Sequence, residues 1–341
     1  MKAVQYRTIG KGPEVVEVDK PTPGPGQVLL KVTAAGLCHS DELVMSVPDA
    51  MGYQLPMTLG HEPAGIVEEL GEGATGIEVG TPVIVYGCWG CGVCEMCAAG
   101  KEMLCLKGMT SPGLGSDGAM ADYMVVDTPR HLVPIGDLDP VRAASLTDAA
   151  LTPYQAILSV LPKLHAGTTT VVLGVGGLGH VAVQLLRELT GTRIVAMDVT
   201  QEKLDLAKEC GAHEVLPSGP DAAAAVKKMT DGRGAHVVFD FVGIDQTSEL
   251  ALACAGFESH VVIVGAGGGG VKIGFLTAPY NIHVSTSLWG GRAELGQLVT
   301  MAQRGQIHIQ TKTFSLDDVP KAYEMLHRGE IIGRAVGVPS L

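Results

Sequence analysis

Two hydrophobic rhythms divide this chain. Up to about residue 150, short runs of alternating or β-branched apolar residues predict strands at Glu14–Val18, Gln27–Val32, Gly65–Leu70, Pro82–Tyr86 and Ala121–Val126. Turn-forming stretches such as Pro21-Thr22-Pro23-Gly24-Pro25-Gly26 separate them. Many short strands between Pro/Gly turns predict a barrel or a compact antiparallel domain. Beyond residue 150, apolar strand-like runs alternate with helix-period segments. Strands are predicted near 170–175, 193–198, 235–240, 259–265 and 282–287, and helices near 178–190, 201–210, 220–230 and 246–255. That alternation predicts a doubly wound parallel sheet. The pattern changes again in the tail, where Glu294–Gly305 and Leu316–Gly329 read as helices and Gly333–Val338 as a short strand.

The first strand of the second region runs into Gly174-Val175-Gly176-Gly177-Leu178-Gly179-His180 and then a helix-patterned segment. Strand, glycine turn and helix are what a dinucleotide requires. Gly174 permits the tight turn, Gly176 lets the backbone approach a diphosphate, and Gly179 allows close helix–strand packing. The helix then turns its unpaired N–H groups toward the phosphates. The next predicted strand, Arg193 to Met197, ends in Asp198, about 20 positions on, where a ribose hydroxyl would be bound. An ordinary Gly-rich turn with a surface Asp is the plainer alternative. Strand, helix and acid together favour the dinucleotide. A second glycine run, Gly265 to Gly270, ends a later strand and reads either as a loop at the C-terminal edge of the sheet or as a flexible connector.

Composition narrows the picture. At 341 residues the chain suggests two domains, and 46% hydrophobic content with only 4% aromatic and 46 glycines suits an aliphatic α/β core. The net charge of -12 argues against a nucleic-acid or anionic-membrane surface. Met1 to Tyr6 opens directly into a strand pattern, so no signal peptide is expected, and no apolar run is long enough to span a bilayer. The eight cysteines are therefore expected in a reducing cytoplasm, and their clustering points to metal rather than disulfides.

Cys91, Cys94, Cys97 and Cys105 lie in a glycine-containing loop stretch and could surround one tetrahedral zinc. Four protein ligands leave no open position, so this site reads as structural. The ladder Cys88, Cys91, Cys94, Cys97 could supply four ligands by itself, and spacing leaves the choice between Cys88 and Cys105 open. Elsewhere stand Cys38-His39-Ser40-Asp41, Gly60-His61-Glu62 and Leu146-Thr147-Asp148. Cys, His and Asp are competent zinc ligands, and three of them with one open position would make a catalytic site.

These motifs occur in an order that resembles the zinc-dependent medium-chain dehydrogenase/reductase family of alcohol dehydrogenases, over essentially the whole chain. Thr33–Asp41, Leu55–Glu62, His131–Pro140, Leu146–Tyr154 and Phe239–Gly243 look similar to the Rhodococcus-type bacterial secondary-alcohol dehydrogenases. The resemblance implies an α/β protein with a GroES-like catalytic domain (1–148 and 289–341) and an inserted Rossmann NAD-binding domain (149–288). It implies a catalytic zinc on Cys38, His61 and Asp148, with Glu62 beside them as an outer or transient ligand. It also implies a structural zinc on Cys91, Cys94, Cys97 and Cys105, with Cys88 spare. Ser40 matches the hydroxyl that accepts the alcohol proton, and Thr152 a residue beside the nicotinamide. Asp198 and Lys203 match ribose contacts, and Gly174, Gly176, Gly177, Leu178 and Gly179 the phosphate turn. Arg334 and His39 match diphosphate contacts, and Tyr53, Leu288 and Trp289 substrate positions. The implied activity is reversible NAD-linked oxidation of secondary, and some primary, alcohols to ketones and aldehydes. A polyol, diol or primary-alcohol dehydrogenase is the nearest alternative. A zinc-free reductase and a non-catalytic NAD- or zinc-binding protein are more distant. A homodimer or homotetramer is expected through Ile282–Leu288. One departure stands out: many relatives carry His where this chain has Leu43, so the proton exit differs, with His39 a candidate for that exit or for cofactor contact.

Overall fold

The computed structural model describes residues 1–46 and 53–341. The chain divides into two compact units, Met1–Leu151 with Gly290–Leu341, and Thr152–Trp289. None of the described helices is long and apolar enough to cross a membrane.

Among the described residues, the first unit carries a three-stranded and a seven-stranded sheet. Val28–Gly36 is the organising strand. It is buried along nearly its whole length and runs four residues past the predicted end at Val32. It pairs antiparallel with Glu62–Leu70 through Gly36↔Glu62, and with the C-terminal strand Arg334–Val338 through Val336↔Gly36. One strand end therefore meets two others, one from early and one from late in the chain. Thr311–Ser315, an unanticipated edge strand, lies parallel to Arg334–Val338. Its exposed Lys312 and Thr313 hide the period-two signal. The apolar core beneath includes Tyr6, Leu30, Leu37, Leu59 and Met120 with Tyr323 from the tail.

Among the helices not anticipated are Pro140–Ala144 in this unit and Leu151–Ser159, which leads into the second. The first carries a visible start signal, because Asp139 caps it by accepting from the Val141 amide at 3.0 Å and Pro140 fills the first turn. The second helix has no charged residue and is buried nearly all round, so its period is faint in the sequence.

The second unit is a six-stranded sheet in the order Glu214–Pro217, Arg193–Asp198, Thr169–Leu173, Ala235–Asp240, Ala255–Ile263, His283–Thr286. Every pairing is parallel. Numbered along the chain this is 3-2-1-4-5-6, the Rossmann order, whose ligands bind beyond the carboxyl ends of the strands where the order reverses. The predicted helices appear as Gly179–Leu189, Gln201–Glu209, Ala222–Met229 and Asp245–Cys254. The short edge strand Glu214–Pro217 was not anticipated. Its half-exposed, four-residue run is too brief to show a rhythm.

Candidate active site

Sheet register assembles a buried cluster from three distant stretches. Cys38 follows the end of Val28–Gly36 by two residues, and the Gly36↔Glu62 pairing sets His61 and Glu62 beside it. Gly36 is required there, because a Cβ would collide with the Glu62 side chain. Asp148 arrives after the 3-10 turn Ser145–Thr147. Cys38, His61, Glu62 and Asp148 are all buried, with one ligand atom from each lying within 4.8 Å of the others. The Asp148 Oδ2 atom is 3.5 Å from Cys38 Sγ and 3.6 Å from His61 Nε2. Ser40 Oγ stands 3.6 Å from Cys38 Sγ.

A layer of hydrogen bonds orients these groups. His61 Nδ1 donates to Asp41 Oδ1 at 2.9 Å, which leaves the Nε2 lone pair facing Cys38 and Asp148. Asp41 Oδ2 accepts from the Cys38 amide at 3.0 Å and from the Tyr323 hydroxyl at 2.9 Å. Burial, with the Asp41 carboxylate, pushes the Tyr323 phenol well above its usual range, so it stays a donor. Arg334 lies across the other side, where its guanidinium pairs with both oxygens of Glu62 and reaches Asp148 Oδ2 at 3.2 Å. Burial alone would push the Cys38 thiol up, but the neighbouring Arg334 guanidinium helps to bring it below its usual value.

The donor set fits zinc. A thiol drawn toward thiolate, an imidazole lone pair and a carboxylate converge in a buried space, and this mixed soft and borderline set is characteristic of that metal. Arg334 alone offsets only part of the negative charge that Cys38, Glu62 and Asp148 bury together.

The second cluster resolves the cysteine ambiguity. Cys91, Cys94, Cys97 and Cys105 converge, while Cys88 is fully buried outside the group. Sγ–Sγ separations are 3.4 Å for Cys94–Cys97, 3.9 Å for Cys91–Cys97 and 3.9 Å for Cys94–Cys105. Four sulfurs at zinc–thiolate distance on a tetrahedron stand about 3.8 Å apart, so the loop has the spacing of a metal site. Backbone N–H groups of Cys97 and Leu106 lower the Cys94 thiol to about 6. Glu102 anchors the loop by accepting from the Gly90 amide at 3.0 Å and from Arg130 at 2.8 Å.

On the nucleotide side, Gly174 has φ +87°, a left-handed turn, and a Cβ on Gly179 would strike the Gly174 carbonyl. A Cβ on Gly176 would meet nothing within 4 Å, which leaves its face open. Asp198 ends its strand as expected. Its Oδ2 accepts from the Val175 amide at 2.7 Å and its Oδ1 from the Val199 amide at 2.7 Å, with Lys203 Nζ 3.8 Å away. These bonds tie the acid to the glycine turn. Thr152 and Trp289 are buried, Leu288 is half exposed, and Tyr53 packs on the core of the first unit. His39 is largely exposed, with Nε2 3.9 Å from Glu42. The run Gly265 to Gly270 is a loop whose backbone packs directly on residues 242–245, where side chains at Gly265 or Gly269 would not fit.

Sequence reasoning gave no role to Asp41 or Tyr323 and aimed Arg334 at a diphosphate. The structure turns Arg334 inward, 3% exposed, onto Glu62 and Asp148. For Asp41 the signal was its place three residues after Cys38. For Tyr323 there was none, because 282 residues separate it from Asp41.

A Rossmann sheet, a thiol–imidazole–carboxylate cluster and a four-cysteine loop define a zinc-dependent, dinucleotide-linked oxidoreductase. Comparison with known proteins agrees. The family model for the alcohol dehydrogenase GroES-like domain matches residues 24–137, and that for zinc-binding dehydrogenase matches 177–304. The chain thus belongs to the zinc-dependent alcohol dehydrogenases of the medium-chain dehydrogenase/reductase family. It is 33% identical to an NAD-dependent alcohol dehydrogenase of Sulfurisphaera tokodaii, covering 99% of this chain and 100% of that one. It is also 33% identical to a D-arabinose 1-dehydrogenase (NADP(+)) of Saccharolobus solfataricus, covering 99% and 97%. The crystal structure of the alcohol dehydrogenase from Aeropyrum pernix superposes with a TM-score of 0.94 at 35% identity, covering 99% and 100% of the two chains.

Proposed function

We propose that this enzyme oxidises secondary alcohols, and some primary ones, to ketones and aldehydes in a reversible NAD-linked reaction. The observation that carries the reading is the buried convergence of Cys38, His61 and Asp148 with the Ser40 hydroxyl at its edge. In this reading those three side chains hold the catalytic zinc, and Cys91, Cys94, Cys97 and Cys105 hold a structural one. When bound, zinc supplies Lewis acidity toward the alcohol hydroxyl and NAD supplies the hydride acceptor. Ser40 accepts the substrate proton at Oγ as it passes its own hydroxyl proton outward. Asp41 keeps His61 in the tautomer that presents Nε2. Arg334 balances the charge of Glu62 and Asp148 and, with NAD bound, contacts the diphosphate.

Asp198 accepts from the adenosine ribose hydroxyls, next to Lys203, and repels a 2′-phosphate. Gly174, Gly176, Gly177, Leu178 and Gly179 carry the diphosphate, with His39 near it, and Thr152 stands beside the nicotinamide. Tyr53, Leu288 and Trp289 contact the substrate and favour apolar carbinols. A polyol, diol or primary-alcohol specificity is the second reading, favoured by the likeness to a D-arabinose dehydrogenase. The finer placement among Rhodococcus-type enzymes rests on the motif segments alone. The relatives named above are archaeal.

A reducing cytoplasm suits the cysteine chemistry. Phe257, Phe275, Leu276 and Tyr280 are exposed, with Tyr280 stacked on Phe257 5.8 Å away, and they adjoin the edge strand His283–Thr286. A patch of this kind beside the edge strand of the described sheet suits a second copy of the chain, and we propose a homodimer or homotetramer.

The test is NAD reduction with 2-propanol, 1-phenylethanol, ethanol and glycerol, before and after chelation. Chelator-sensitive turnover fastest with the secondary alcohols supports the reading. Turnover confined to ethanol or glycerol moves the assignment to the alternative, and absence of turnover with zinc and NAD bound defeats both.

A further inference from the structure

The geometry points to Tyr323 as a positioning residue that holds the metal-facing nitrogen of His61 in place through Asp41. This rests on reading Cys38, His61 and Asp148 as zinc ligands. Tyr323 lies on the helix Val319–His327, in the segment that follows the Rossmann insertion. Its hydroxyl donates to Asp41 Oδ2 at 2.9 Å, and the same oxygen accepts from the Cys38 amide at 3.0 Å. The other oxygen, Oδ1, accepts from His61 Nδ1 at 2.9 Å. Asp41 is fully buried and Tyr323 is 3% exposed, so bulk water does not replace any of these donors.

Two donors on Oδ2 fix the plane of the carboxylate, and that plane aims Oδ1 at His61. With Nδ1–H so held, Nε2 keeps its lone pair toward Cys38 and Asp148. Without the Tyr323 hydroxyl, Oδ2 keeps only the Cys38 amide, which belongs to the loop the carboxylate must steady. The aromatic ring accounts for core filling, since it packs in the main apolar cluster of this unit. A phenylalanine would fill the same space. A hydroxyl placed in an apolar core on a carboxylate implies a requirement for that bond. The same C-terminal segment supplies Arg334 to Glu62 and Asp148, so residues after the insertion hold the ligand cluster from two sides.

The test uses the holoenzyme and its Tyr323→Phe variant. Partners that orient metal-bound histidines change metal affinity by about ten- to a hundredfold. Tyr323 acts one bond further out, so chelator competition should release zinc from the Cys38 cluster about three- to tenfold faster in Y323F. Zinc on the cysteine quartet should leave at the wild-type rate. Cobalt exchanged into the Cys38 cluster alone should show shifted d–d bands in Y323F. In an Asp41→Asn background, Y323F should add nothing, because the relay is already cut. Unchanged release and unchanged cobalt bands would overturn the proposal, even if thermal stability falls, since that pattern marks a purely structural hydroxyl. If Y323F does not fold, 3-fluorotyrosine at position 323 keeps the hydroxyl as a stronger donor and should also shift the bands. Unmoved bands there would again sink it. A wild-type chain that binds only one zinc, with no cobalt signature lost in Cys38→Ser, would instead overturn the ligand reading itself and this proposal with it.

Discussion

The Arg334 guanidinium meets both carboxylate oxygens of Glu62 in a fully buried pair and extends to Asp148 Oδ2 at 3.2 Å. One cation thus holds two acids that flank Cys38 and His61. Removing one partner of such a pair strands a buried charge, a loss of about 3 to 5 kcal/mol. Arg334→Met should therefore lower stability by that order in chemical denaturation. Adding Glu62→Gln should recover part of the loss. A double variant no better than the single one would show that the two residues are not coupled.

The cysteine geometry separates two residues that spacing alone could not. Cys105→Ser should reduce zinc from two ions per chain to one and markedly lower thermal stability, because a structural zinc contributes folding free energy directly. Cys88→Ala should retain two. Elemental analysis of the purified variants decides the matter, and loss of zinc from Cys88→Ala would reverse the assignment.

Cys38→Ser tests the other cluster. It should remove the second zinc while the quartet keeps its own. Turnover should fall at least about a thousandfold, the scale expected when a metal that acidifies the substrate hydroxyl is lost. Near-normal rates in a variant carrying a single zinc would contradict the ligand set.

Cofactor choice should follow Asp198. Its carboxylate is fixed by the amides of Val175 and Val199, so it cannot swing away from a 2′-phosphate. Asp198→Gly should shift the ratio of kcat/KM for NAD over NADP by about a hundredfold toward NADP, about 2.7 kcal/mol of discrimination. A ratio that does not move would place the selectivity elsewhere.

Acid should weaken the Rossmann unit through His180. Burial pushes this imidazole down to about 4, and its Nδ1 donates to the Gly176 carbonyl at 2.9 Å. An unfolded His titrates near 6.5. Between those values the unfolded chain binds a proton that the native chain refuses. His180 therefore has no effect on stability above about pH 6.5 and becomes destabilising as pH falls toward 4. The loss amounts to about 2 kcal/mol at pH 5. In His180→Asn the slope of stability against pH across this window should be flatter by that amount.

The exposed aromatic patch sets the last expectation. Phe275→Asp should lower the solution mass measured by light scattering if a second copy covers Phe275, which is 81% exposed in the single chain. A mass that matches the wild type would free this surface from that role.

Local rules made much of this protein legible in advance. The switch from short alternating strands to alternating strand and helix marked the GroES-like and Rossmann parts. Gly174, Gly176, Gly179 and Asp198 announced the dinucleotide fold, because a tight turn and a strand-end acid depend on neighbours within about thirty residues. The short edge strands Glu214–Pro217 and Thr311–Ser315 escaped, since their stability comes from pairing rather than from their own pattern.

The sequence by itself determined the residue types that chemistry needs: thiols, imidazole, carboxylates and glycines at informative spacings. Only the tertiary structure decided which of them meet. It selected Cys105 over Cys88, turned Arg334 inward to Glu62 and Asp148, and set Tyr323 on Asp41. The meeting of Arg334 with Glu62 follows from strand register, with Gly36 paired to Glu62 on one side and Val336 on the other, while the fold of the 91–105 loop made the cysteine choice. Register is a property of long-range pairing, and contacts across nearly three hundred residues leave no periodic trace in the chain.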